Sequence, residues 1–139
     1  MRRVLIVLLG FSPLLLGTTM NWAMLTLDLL PPLALVGILF LFLWGAIAYW
    51  NSDVKQTVGL LCLPALIDLL LVGYQELYLR AYWANLAGRL SQYFFLPVLG
   101  LGAWLTTWSH AVFPAYCGAY FLLLSAASIG YLAGRRALN

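Results

Sequence analysis

An all-α integral membrane protein is the fold class this sequence predicts, and three observations predict it. Of 139 residues, 65% are apolar and only 8% charged, the mean hydropathy is +0.98, and the apolar residues gather in runs of bilayer-spanning length. A soluble domain needs more polar surface than this. At this length the chain reads as one polytopic domain over residues 1–139, a compact bundle of four to five transmembrane helices with a short interfacial helix.

The first segment resembles a signal peptide: Arg2-Arg3, then apolar Val4 to Leu16, then Gly17-Thr18-Thr19. With several further spans behind it, it reads as an uncleaved first helix bent at Pro13. The second span runs from Pro31 to Trp50. Asp28 and Pro31-Pro32 mark its start, where a missing donor costs nothing, and Tyr49-Trp50 before Asn51-Ser52-Asp53 mark its end as an interfacial aromatic pair. The third span, Thr57 to Leu79, carries Asp68 near its middle. Residues 80–92, RAYWANLAGRLSQ, are too polar to cross and too apolar to float, which suits an interfacial helix.

Tyr93 to Trp108 is a run of sixteen residues containing Pro97, Gly100 and Gly102, and its ~24 Å of helix is short for a bilayer. It reads as a thin span, with a re-entrant hairpin as the alternative. Val112 to Ala133 is long enough to cross, and Ala126, Gly130 and Gly134 repeat every four residues near its end. Such a stripe lets another helix approach closely, within the chain or in a dimer.

Charge bears on the topology. Five crossings put Arg2, Arg3 and Lys55 on one side against Arg80, Arg89, Arg135 and Arg136, which opposes the positive-inside tendency; four crossings return the last pair and satisfy it. Five is nevertheless expected, because an apolar run of this length is more often a span than a re-entrant loop. Near balance of the basic residues also admits a dual-topology antiparallel dimer.

A carboxyl group inside a span is costly and is a default functional candidate. Seven residues turn a helix through ~700°, so Gln75 lies ~20° from Asp68 around the axis, on a face shared with Leu61, Pro64 and Val72. Pro64 leaves the carbonyl of Leu60 without its helical donor, so acid, amide and backbone oxygen together suit a cation or a relayed proton. The structural reading is that a protonated Asp68 glues two helices together. Glu76 and Arg80 have the favourable spacing of an intrahelical ion pair; with Arg80 turned outward, Glu76 and Gln75 would open a polar route towards Asp68.

His110 is the single histidine. Alone it makes a poor metal site, and interfacial hydrogen bonding is the expected role rather than axial ligation of a haem, so no cofactor or metal is assigned. Cys62 and Cys117 lie in apolar runs without a CxxC partner and read as packing residues. No GxSxG, HExxH, Walker or GxGxxG pattern is present, and four acids with one histidine give an enzyme little material. A basic stripe with interleaved aromatics is also missing, which argues against nucleic acid.

Two classes of function remain. In the first, the chain is an accessory, assembly or interaction subunit of a membrane complex, using Trp22, Trp44, Trp83, Trp104 and Trp108 and the small-residue stripe; 15% aromatic content and little extramembrane sequence favour it. In the second, it is a small oligomeric transporter or channel with Asp68, Gln75 and Glu76 along a cation or proton path. The expected partners are lipid and another membrane protein or further copies of the chain. Tyr74-Gln75-Glu76-Leu77 followed by RAYWANLAGRLSQYFFLP resembles small bacterial membrane proteins in texture, so the bacterial plasma membrane is the expected compartment.

Overall fold

Helix formation follows the apolar runs, and the interruptions have local causes. The computed structural model describes residues 1–27 and 32–138 as helices α1 (Arg2–Leu9), α2 (Ser12–Thr26), α3 (Leu33–Trp50), α4 (Thr57–Gly73, continued by a π-helical stretch Tyr74–Leu79), α5 (Leu86–Leu105) and α6 (Phe113–Leu138). The expected boundary signals at Asp28 and Pro31 lie outside the described residues. Among the described residues, four helices are long and apolar enough to cross a membrane: Arg2–Thr26, Leu33–Trp50, Thr57–Leu79 and Phe113–Leu138.

The first of these is divided, not merely bent. Pro13 in the first turn of α2 has no N–H for the carbonyl of Leu9, and the chain tightens through Phe11 N–H to Leu8 O at 3.1 Å and Leu14 N–H to Phe11 O at 3.0 Å. Gly10 at this break lies against α4, where an added Cβ would come within 2.6 Å of the Leu61 carbonyl oxygen.

The ends of the helices fix the number of passages. Arg2 pairs with Asp53 in the α3–α4 turn, and Gly134 near the end of α6 is pressed against Tyr49 and Ser52. The start of α1, the α3–α4 turn and the end of α6 therefore share one end of the bundle. At the other end, Glu76 beyond α4 accepts the backbone N–H of Phe113 at the start of α6. Four passages satisfy these contacts, and α5 enters and leaves from the Glu76 end.

The described structure has four candidate spans, within the four to five expected. It also replaces a separate interfacial helix and short span with one 20-residue helix, which meets the end of α4 through Ser91 and the start of α6 through Gly102. Pro97 and Gly102 read in the sequence as breaks, but they mark helix contacts, while Gly100 is exposed. Pro97 cannot donate to the carbonyl of Tyr93, and Gly17 of α2 lies over that carbonyl with no room for a Cβ; Gly102 meets α6 at Ala115 and Ala119 in the same manner. The carbonyl freed by Pro97 is thus covered by α2.

The core joins Phe40, Trp44, Leu61, Phe95, Val98 and Leu123. Trp44 is fully buried and packs on Phe40 with ring centroids 5.7 Å apart, which removes it from the expected aromatic surface. Trp22, Trp104 and Trp108 are exposed, and Trp83 is at the margin of exposure.

Candidate functional site

Leu61, Pro64, Val72 and Gln75 are buried, with Asp68 half-buried between them. Pro64 and Asp68 line a recess of about 230 Å³, closed otherwise by Phe11 and Leu14 at the α1–α2 break and by Leu90 and Phe94 of α5. Its rim residues Ile67 and Leu71 are exposed, so it opens on the flank of the bundle. Among the described residues, Ser91 is the one other polar side chain in its wall.

Asp68 has no hydrogen-bond partner at its buried Oδ2. The nearby polar groups are already committed. Ser91 donates its hydroxyl to the Gly88 carbonyl at 2.9 Å and accepts from Nε2 of Gln75 at 3.1 Å, while Oε1 of Gln75 accepts the Trp83 N–H at 3.1 Å. Asp68 and Gln75 thus share a face but not a bond. A buried carboxyl oxygen left without a partner costs about 1–3 kcal/mol, so the recess presents a polar group still open to one.

Glu76 has a different role from the one its spacing suggested. Its Oε1 accepts the Phe113 N–H at 2.9 Å and its Oε2 accepts the Tyr82 hydroxyl at 2.8 Å. A carboxylate at the start of α6 satisfies one of that helix's free amides and complements its dipole. Partial burial of Tyr82 and then its bond to Glu76 hold that phenol above its ordinary pKa. The expected Glu76–Arg80 pair is not formed: among the described residues the one ion pair is Arg2–Asp53. Its cause is the π-helical stretch Tyr74–Leu79, which ends at Arg80 in a left-handed conformation with φ 53°, so the α-helical four-residue spacing no longer brings the two side chains together.

Ser91 and the Trp83 amide were missed by sequence reasoning. The available signal was Asn85, whose side chain accepts the Gly88 N–H at 3.0 Å and caps α5; starting a helix there places Ser91 in its second turn. The small-residue stripe lies against α3: a Cβ on Gly130 would overlap the Gly45 backbone, Gly45 faces the Ala126 carbonyl, and Gly134 meets Tyr49 and Ser52. The stripe is occupied within the chain.

His110 is exposed in the α5–α6 connection and does not line the Asp68 recess. Cys62 and Cys117 are free thiols. Among the described residues, no three His, Cys, Asp or Glu side chains converge as a metal site would require. Comparison with known protein families, curated proteins and solved structures finds no match for this chain.

Proposed function

We propose that this chain is a four-crossing integral membrane protein that acts as an accessory or assembly subunit, engaging another membrane protein at the Asp68 recess. The bilayer reading draws on the bundle's apolar exterior, where Phe42, Leu70, Phe121 and Ile129 are each more than half exposed; in water such a surface is an aggregation liability. The basic end, with Arg2, Arg3, Lys55, Arg135 and Arg136, faces the cytoplasm of a bacterial plasma membrane on this reading.

The observation that carries the interaction role is the unpartnered Oδ2 of Asp68 in a recess open to the side. Among the described residues none bonds to it, and hydrocarbon has no polar group to offer. A basic or amide side chain on a neighbouring membrane helix meets the need, and such polar contacts between helices contribute about 0.6–2 kcal/mol.

A second reading, an oligomeric transporter or channel, draws on the Gln75–Ser91 bond beside Asp68, which extends polar groups towards the Glu76 end. It ranks second because the remaining recess wall is apolar, whereas an ion path needs polar lining or water. The test is the composition of the particle purified from its source cells in native lipid discs, wild type against Asp68→Leu. A stoichiometric membrane protein held roughly three- to thirty-fold less tightly by the variant is expected. The chain alone, or only as a homo-oligomer, would overturn the subunit role.

A further inference from the structure

We infer that the α3–α6 flank binds one anionic phospholipid, with its phosphate at Arg2 and an acyl chain in the groove beside Gly45 and Gly130. The groove has a volume of about 480 Å³ and apolar walls that include Ile38, Leu41, Phe42 and Ile129. At the basic end a second recess of about 420 Å³ contains Arg2, Trp50, Ser52 and Asp53. Tyr49 lines both, so the two are adjacent along α3.

Apolarity and charge select the occupant. Gly45 and Gly130 are in backbone contact and form a floor that cannot be deepened. Its walls are apolar side chains, which suit the hydrocarbon of an acyl chain. Five of the seven basic residues belong to this end, and Asp53 is the one acid there among the described residues. Asp53 engages Nη1 of Arg2, and a guanidinium has five donors, so the others remain for a phosphate. Basic recesses beside membrane helices are suited to anionic headgroups.

The inference rests on the bilayer placement proposed above but not on the partner of Asp68. Its test is native mass spectrometry of the full-length chain released from detergent, titrated with phosphatidylglycerol, with phosphatidylcholine of the same acyl chains, and with glycerophosphoglycerol as a chainless headgroup. Phosphatidylglycerol should bind about fivefold more tightly than phosphatidylcholine, the effect of roughly one interfacial charge. Arg2→Gln should remove that preference. Ala46→Phe, which fills the groove, should weaken both lipids, and Ile129→Trp on the exposed wall repeats that test where Ala46→Phe fails to fold.

Equal binding of the two lipids, or groove variants that bind both like wild type, would overturn the inference. So would displacement by the chainless headgroup, which would assign the recess to free phosphate esters. A chain that is soluble and monomeric without detergent would instead refute the bilayer placement itself.

Discussion

Replacing Gly130 by alanine separates packing within the chain from packing between chains. A Cβ at this position would overlap the carbonyl oxygen of Gly45, with the Gly45 Cα only 2.9 Å away. These are backbone atoms, so no side-chain rotation relieves the clash and α3 must move from α6. Overpacking of this kind costs about 1–3 kcal/mol, against a helix-propensity gain of up to about 1 kcal/mol for Gly→Ala. Gly59 in α4 is the control, because nothing lies within 4 Å of its added Cβ and only the propensity gain applies. Unfolding in mixed micelles, followed by tryptophan fluorescence at several protein concentrations, should show Gly130→Ala destabilised by about 1–2 kcal/mol and Gly59→Ala unchanged or stabilised. The Gly130 effect should not depend on concentration, because both helices belong to one chain. Equal behaviour of the two variants, or a Gly130 effect that grows on dilution and accompanies a loss of oligomer, would refute the assignment of the stripe to α3.

The polar end of the bundle yields three further expectations under the same unfolding assay. Glu76→Ala removes the acceptor of the Phe113 N–H and should cost about 1–2 kcal/mol, with increased hydrogen exchange in the first turn of α6. Gln75→Leu leaves the Trp83 amide without its acceptor and should cost about 1–3 kcal/mol, whereas a neutral result would mean that water or a shifted backbone replaces the bond. Arg80 has a positive φ and an exposed side chain, so Arg80→Gly should stabilise by up to about 1 kcal/mol and Arg80→Val should destabilise. A reversed order would argue against the left-handed turn.

Composition made the all-helical class and its long apolar helices legible, because it concerns the whole chain. The limits of Thr57–Leu79 were equally legible, since a polar turn precedes it and Arg80 follows it. The path of α5 was not. Arg89, Ser91 and Gln92 dilute the apolar signal of its first half, and Pro97, Gly100 and Gly102 imitate breaks in its second. What keeps the helix continuous is tertiary: the backbones of α2 and α6 fit against its irregular positions. The charge distribution favoured four crossings, which equals the number of candidate spans among the described residues.

At the candidate site, helical periodicity placed Asp68 and Gln75 on one face, but it could not identify their partners. The Ser91 hydroxyl reaches Gln75 across sixteen residues, and Glu76 reaches Phe113 across thirty-seven. Four-residue spacing suggested Arg80 for Glu76 because an α-helix was assumed, and the π-helical stretch invalidates that spacing. Trp44 was misplaced because tryptophan in an apolar helix reads alike on either face.

The central claim is that Asp68 finds its polar partner outside the chain, and a photo-crosslinking residue at Leu71 on the recess rim tests it most directly. Irradiation in native membranes, followed by mass spectrometry of the adducts, should identify one membrane protein joined beside a basic or amide side chain, with that adduct lost in Asp68→Leu. Adducts to lipid alone, or a protein adduct that persists unchanged in Asp68→Leu, would contradict the account.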